Sequence, residues 1–159
     1  MNIISKLIYM VDRISKEARS YNMSRIRSKD TKPEILVRSY LFSKGLRFRK
    51  NDKRYPGSPD IVLPKYKTIV FVHGCFWHRH EGCKYAYVPK SRVEFWQKKF
   101  DDNVRRDAVV RQELEKSGIK CLIIWECTIR EIMKDNIDQL KIIDVIKQFF
   151  NEDNAFLEL

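Results

Sequence analysis

All three histidines of the chain and two of its four cysteines fall within one short stretch, His73-Gly74-Cys75-Phe76-Trp77-His78-Arg79-His80-Glu81-Gly82-Cys83. A closed structural zinc site takes four imidazole or thiolate ligands, commonly two from a short loop and others from a distant element. Cys75, His80, Cys83 and the remote Cys127 supply such a set, and by spacing alone His78 can stand in for His80. Cys121 sits inside an apolar run and reads instead as a buried thiol, which behaves as a small apolar side chain. Upstream, Asp60 closes the turn Pro56-Gly57-Ser58-Pro59 directly before Ile61-Val62-Leu63. A carboxylate held at such a turn can grip a divalent cation while a bound phosphate supplies further oxygen ligands. Asp after Pro is also ordinary turn chemistry, so its neighbours decide between the two. Phe76, Trp77 and Trp96 are recognition candidates if the partner is duplex DNA, since apolar wedges unstack base steps and a mismatched step costs less to open. Their plainer use is core packing, above all for Trp96, which falls on the apolar stripe of a helix.

These groups need a scaffold, and its elements are legible. Thr31-Lys32-Pro33-Glu34 reads as a capping box with Pro in the first turn, opening a helix through Ile35, Leu36, Tyr40 and Leu41 that stops at Gly45. Arg47-Phe48-Arg49 is a short strand, and Ile61-Val62-Leu63 pairs through Lys65-Tyr66-Lys67 with Thr68–His73 as an antiparallel hairpin. Ser91-Arg92-Val93-Glu94 reads as a second capping box, with Val93, Trp96, Phe100 and Val104 at helical spacing up to Gly118. Ile119–Trp125 is a second buried strand, and a helical pattern then runs from Ile129 through Ile137, Leu140 and Val145 to Phe149. Hairpin, helix, strand and helix imply an α/β (α+β) fold, a mixed sheet covered by helices.

The 159 residues, 43% hydrophobic, suit a single domain spanning residues 1–159 with a core that needs no disulfides. With 32 Lys and Arg against 21 Asp and Glu the formal charge is +11, which favours a polyanion partner through phosphate contacts and counterion release. Residues 1–30 form a basic arm or short helix suited to lying on phosphates, with Met23, Arg25 and Arg27 as DNA-contact candidates. The Met1–Met10 stretch is too short and too interrupted by Lys6 for an export signal or a membrane span, so a cytoplasmic protein is expected, with Met10 as an alternative start. Cysteines in such a compartment serve as metal ligands or buried thiols rather than disulfides.

His73-Gly74-Cys75-Phe76-Trp77-His78, preceded by Pro56-Gly57-Ser58-Pro59-Asp60 and followed by Glu94-Phe95-Trp96, Asn103-Val104, Arg106-Asp107 and Trp125-Glu126-Cys127, resembles the very-short-patch repair (Vsr) endonuclease family. The likeness runs in order from about Ser20 to Arg130. It implies a restriction-endonuclease-like fold, a structural zinc, catalytic magnesium, and a nick 5′ to the thymine of a T·G mismatch left by deamination of 5-methylcytosine. By position, Asp60 resembles the magnesium ligand, Val72 the donor of a backbone carbonyl to that metal, and His78 the general base, oriented by Asp107. Glu34 matches an active-site or metal-water carboxylate and His73 a phosphate-contacting group. A functional link to a DNA cytosine-5 methyltransferase and to mismatch repair proteins follows, for a protein acting on duplex DNA as a monomer near the nucleoid. Relatives of the wider fold carry an acidic residue and a lysine on the strand after the aspartate, where this chain has Phe71-Val72-His73, a departure the very-short-patch group shares.

The chemistry so implied is sound, because a neutral imidazole can take a proton from attacking water near neutral pH and a carboxylate on its other nitrogen fixes the tautomer. Two ordinary explanations stand beside it. Asp107 can be a solvated carboxylate paired with arginines of its own helix, and Glu34 can be no more than the reciprocal member of the Thr31 capping box. Two rival functions also remain: a nuclease of the same fold without mismatch specificity, and a non-catalytic zinc-containing DNA-binding module.

Overall fold

The computed structural model describes residues 15–25, 27, 29–134 and 136–159. The Met1–Met10 stretch lies outside them, and so does Arg13. Five strands form one sheet in the order β1-β2-β3-β4-β5: Arg49–Lys50, Ile61–Leu63, Thr68–His73, Lys120–Trp125 and Phe156–Glu158. The first three are antiparallel neighbours, with Ile61 opposite Val70, whereas β3, β4 and β5 run parallel, with His73 opposite Trp125. A parallel pair needs a crossover. Between β3 and β4 it consists of the short α3 (Cys75–His78) and the long α4 (Val93–Lys116).

Strand side chains alternate between faces, and the two faces are unequally covered. Ile61, Leu63, Val70, Leu122 and Ile124 meet Val37 and Leu41 of α2 (Lys32–Ser43), Ile129 of α5 (Glu126–Ile132), and Ile143, Ile146 and Phe149 of α6 (Asn136–Asn151). Fully burying such side chains contributes roughly 1.5–3 kcal/mol each before conformational entropy is counted, so this face is the main source of stability. On the other face Val62, Ile69 and Cys121 are buried under Leu114 near the C-terminal end of α4, and His73 and Trp125 are buried at the C-terminal ends of their strands. Residues of the middle of α4, from Asn103 to Arg111, border an open cleft of about 890 Å³ whose lining also includes Phe71, Ile123 and Phe156.

The hairpin, the strand after it and the helices on both sides agree with the sequence reading. Several details differ. The helix opened by Thr31 buries Glu34, Val37, Arg38 and Leu41, while Ile35 and Leu36 face outwards. At α4 no capping box forms, because Arg92 adopts a left-handed φ of 54° and the helix begins only at Val93. Phe100 alone of the expected α4 stripe is fully buried; Val104 is exposed where it borders the cleft, and Val93 is exposed at the start of the helix. In place of the single C-terminal helix there are α5, ending at Ile132, and α6, beginning at Asn136. The first strand is Arg49–Lys50 rather than residues 47–49, and the edge strand β5 was not foreseen. Arm residues Lys16–Ser24 form a helix, α1, capped by the Ser15 hydroxyl, which accepts the Ala18 N–H at 3.1 Å. Among the described residues no helix is long and apolar enough to cross a membrane.

Gly57 matters most to the site. It lies at φ +74°, and a Cβ there would sit 2.8 Å from Val110 Cγ1 and 3.1 Å from Phe71 Cζ. Gly57→Ala therefore combines left-handed strain with a collision under α4, and should cost about 2–3 kcal/mol. Chemical denaturation checks this, and nicking should fall too because Asp60 is three residues on.

Candidate active site and metal centre

The turn ending at Pro59 delivers Asp60 to the start of β2, where its Oδ2 accepts the Val72 backbone N–H at 2.8 Å across the hairpin. That bond ties the carboxylate to the same residue whose carbonyl is the expected second metal ligand. Burial lifts the Asp60 pKa to about 6, and the Glu34 charge adds to the rise; the Val72 N–H, Arg38 and His78 oppose it. A buried carboxylate with so little compensating charge favours a nearby cation, and its oxygen donors suit a hard ion such as magnesium.

Glu34 is 4% exposed and lines the same cleft as Asp60. Its Oε1 accepts the Thr31 hydroxyl at 2.7 Å, and its Oε2 accepts the Asp30 N–H at 2.8 Å and Arg38 Nη2 at 2.6 Å. The capping box is thus altered: Thr31 Oγ still accepts the Glu34 N–H, but the carboxylate reaches Asp30 rather than the Thr31 backbone N–H. Asp30 holds a left-handed φ of 51°.

Across the cleft, His78 ends α3 and turns Nδ1 to Asp107 Oδ2 of α4 at 2.6 Å. Asp107 is therefore bound to the histidine rather than merely solvated beside its own arginines. His73, at the end of β3, stacks on His78 with ring centroids 3.8 Å apart and planes 11° apart. Burial, with the neighbouring His78 charge adding, pushes the His73 pKa down to about 3, so this ring stays neutral and carries a single N–H donor. Among the described residues, His73 Nδ1 and Arg38 Nε are the buried side-chain atoms without a hydrogen-bond partner. Asn103, on α4, donates to the Trp77 carbonyl at 3.0 Å and pins α3 to α4.

The second cluster lies behind α3. One ligand atom each from Cys75, His80, Cys83 and Cys127 fall within 4.8 Å of one another. His80 Nδ1 is 3.2 Å from Cys127 Sγ and 3.7 Å from Cys75 Sγ. Tetrahedral zinc with ordinary bond lengths sets its sulfur and nitrogen ligands roughly 3.5 Å apart, so the donor set and spacing fit that ion. Burial pushes the Cys75 thiol up to about 12, far from ionising unaided. Of the two histidines, His80 is the one brought to the three cysteines, stacked on Trp125 at 4.2 Å, while His78 faces Asp107. Cys121 is 3% exposed within β4 and belongs to the core.

Phe76 packs edge-on or tilted against Trp77, Tyr87, Trp96 and Phe100, with centroids 5.1–5.5 Å apart. Trp96 is half-buried in this group, and Trp77 reaches the cleft. Arg27, Arg79, Arg106 and Arg111 line the cleft as well. Met23 and Arg25 are exposed on and just after α1. Sequence reasoning missed Arg38, Asn103 and Arg79 as site residues. For Arg38 the signal was available: it lies four residues after Glu34, hence on the same helix face.

A cleft lined by arginines that gathers carboxylates and a histidine–carboxylate pair, beside a thiol–imidazole cluster, suits a class of proteins, hydrolases of phosphodiesters. Comparison with known proteins narrows it. The family model for DNA mismatch endonuclease Vsr matches residues 11–84. The chain is 49% identical over 133 residues to the type II nicking enzyme V.NmeAIP of Neisseria meningitidis, covering 82% of this chain and 94% of that protein. It is 45% identical over 123 residues to V.XorIIP of Xanthomonas oryzae, covering 77% and 90% respectively. To the DNA mismatch endonuclease Vsr of Escherichia coli it is 43% identical over 121 residues, covering 76% and 77%. This chain belongs to the Vsr family and is a DNA endonuclease.

Proposed function

We propose that this protein nicks one strand of duplex DNA 5′ to the thymine of a T·G mismatch, in a magnesium-dependent reaction that begins very-short-patch repair. The observation that carries the reading is one cleft in which Asp60 and Val72 face the His78–Asp107 pair, beside the Phe76–Trp77–Trp96 aromatic group. Asp60 and the Val72 carbonyl would hold the magnesium ion. When bound, that ion supplies charge stabilisation on the phosphate oxygens and the leaving oxygen. With Nδ1 committed to Asp107, His78 keeps Nε2 as the nitrogen able to take a proton from the attacking water. Neutral His73 beneath it adds no competing positive charge and can donate one N–H to a phosphate oxygen. Cys75, His80, Cys83 and Cys127 would hold a structural zinc that stiffens the segment presenting Phe76 and Trp77.

The mixed sheet with its exposed site at one end suits a restriction-endonuclease-like fold, acting as a single domain and a monomer. The basic arm, including Met23, Arg25 and Arg27, would lie on the DNA backbone. A cytoplasmic, nucleoid-associated role alongside a cytosine-5 methyltransferase and mismatch repair proteins follows from the proposed lesion.

Three otherwise identical duplexes bearing T·G, T·A or C·G at one position test the reading. With magnesium, the T·G duplex should be nicked at least about 10²-fold faster than either paired control, the scale that mismatch-dependent opening can supply. Equal cutting of all three points to a nuclease without mismatch specificity, and no cutting with retained binding to a non-catalytic module. The aromatic group has its own test. Replacing Phe76 and Trp77 by Ala should reduce the preference for T·G over T·A binding about 10-fold at fixed ionic strength, while salt-sensitive nonspecific affinity changes little. An unchanged preference, with zinc content intact, would assign mismatch recognition to hydrogen bonds at base edges instead.

A further inference from the structure

Arg38 is the unexplained group of the cleavage site. It is 7% exposed on the core side of α2, among Val37 and Leu41, where an apolar residue would be the ordinary occupant. Burying a guanidinium is costly unless all of its N–H groups are paired, and here Nε has no partner. Capping of α2 does not call for it, since Thr31 already caps the helix and Pro33 sits in its first turn. Arg38 instead reaches in two directions. Nη2 donates to Glu34 Oε2 at 2.6 Å, and Nη1 contacts Asp30 Oδ1, which also has Lys50 Nζ at 3.6 Å.

The result for Glu34 is specific. Three donors, the Thr31 hydroxyl, the Asp30 N–H and Arg38, clamp its two oxygens and fix the carboxylate plane. An ionised carboxylate has about four acceptor positions, so one remains on Oε1. That carboxylate borders the cleft with Asp60 and close to Val72, where a water of the metal's hydration shell needs an acceptor. Arg38 also offsets the Glu34 charge felt by Asp60, so that two carboxylates can share one pocket.

We propose that Arg38 is a positioning residue for cleavage, holding the Glu34 carboxylate in the orientation that receives a metal-bound water beside Asp60 and acting on the reaction only through Glu34. The proposal rests on Glu34 being part of the active site. Arg38→Met keeps most of the side-chain volume and removes the cation. It should raise the magnesium concentration for half-maximal nicking about 10-fold and lower the saturating rate about 10- to 100-fold. Equilibrium binding of Mn2+ to the protein held on a non-cleavable T·G duplex should weaken about 10-fold, while affinity for that duplex without metal stays within about 2-fold. Arg38→Lys, which retains a charge, should recover part of both losses.

The deciding comparison is the same change made in a Glu34→Gln background. There Arg38→Met should add less than about 3-fold, because the group it positions is already impaired. A loss as large as in the wild type overturns the proposal, as does normal magnesium dependence in Arg38→Met. Should Arg38→Met fail to fold, Arg38→Lys decides: a shift in magnesium dependence of at least about 3-fold, abolished by Glu34→Gln, supports it, and no shift overturns it. Wild-type nicking by Glu34→Gln itself would instead remove Glu34 from the active site, a failure of the underlying reading that is visible before Arg38 is changed.

Discussion

Asp60→Asn should stop cleavage while making the metal-free protein more stable at neutral pH. The Asp60 carboxyl has a pKa of about 6 in the folded chain, against 3.8 when unperturbed. Above about pH 6 the folded state carries a buried charge that the unfolded state carries in water, so folding is penalised there. Below pH 3.8 both states hold the neutral acid and the penalty is gone. At about 1.4 kcal/mol per pKa unit the full penalty is at most about 3 kcal/mol, and partial solvent access reduces it. The Asn variant should thus gain about 1–3 kcal/mol over wild type at pH 7.5, with a gain that shrinks as the pH falls from 6 towards 4. Asn can still accept the Val72 N–H through its side-chain carbonyl, so the hairpin contact is retained. Magnesium should stabilise the wild type by mass action and leave the variant unaffected. Nicking should fall by about 10³-fold or more with T·G binding preserved. Thermal melts at two pH values, with and without magnesium, check the stability half of this. A variant that melts earlier at pH 7.5 contradicts the buried-charge argument, and one that nicks normally contradicts the site.

The second large effect concerns the thiolate–imidazole cluster. The purified protein should carry about one zinc per chain, and Cys127→Ala should lose it. Structural zinc sites contribute folding free energy directly, roughly 10 kcal/mol or more in small zinc-finger domains. This chain has an independent core on the other face of the sheet, so a smaller loss of about 3–5 kcal/mol is expected. The damage should centre on α3 and the loop after it, which carry Phe76, Trp77 and His78. Cys121→Ala is the control: its thiol lies inside β4, outside the cluster, and its loss should cost about 1 kcal/mol while zinc is retained. Metal analysis and denaturation of the two variants distinguish the roles, and equal zinc loss in both would contradict the assignment.

Legibility differed between the parts of the molecule for physical reasons. The hairpin of β2 and β3 was readable because two apolar runs flank the short polar connection Lys65-Tyr66-Lys67, which leaves few alternatives. The cysteine–histidine cluster was readable as a set of residue types, but the choice between His78 and His80 was not. It depends on the turn at Arg79, whose left-handed φ of 56° sends the two imidazoles to opposite sides. The opening of α4 was misread because Ser91 and Glu94 have the capping spacing, while the backbone at Arg92 is left-handed and its guanidinium lies over the Phe95 ring at 4.4 Å. Strand β5 escaped notice because Phe156-Leu157-Glu158 is too short to show periodicity and is fixed by pairing with β4, including Leu159 N–H to the Ile123 carbonyl at 2.9 Å. Arg38 escaped because a lone arginine inside a helix usually faces water.

The proposed reaction is a strand- and position-specific nick made with magnesium at a T·G mismatch. Its most direct measurement is a single-turnover reaction on a T·G duplex with a different label on each strand, run with magnesium and with chelator, and products sized to the nucleotide. The account predicts one product, from the strand bearing the mismatched thymine, broken immediately 5′ to that thymine and absent when magnesium is removed. Breakage of both strands, a break elsewhere, or undiminished cutting in chelator would contradict it.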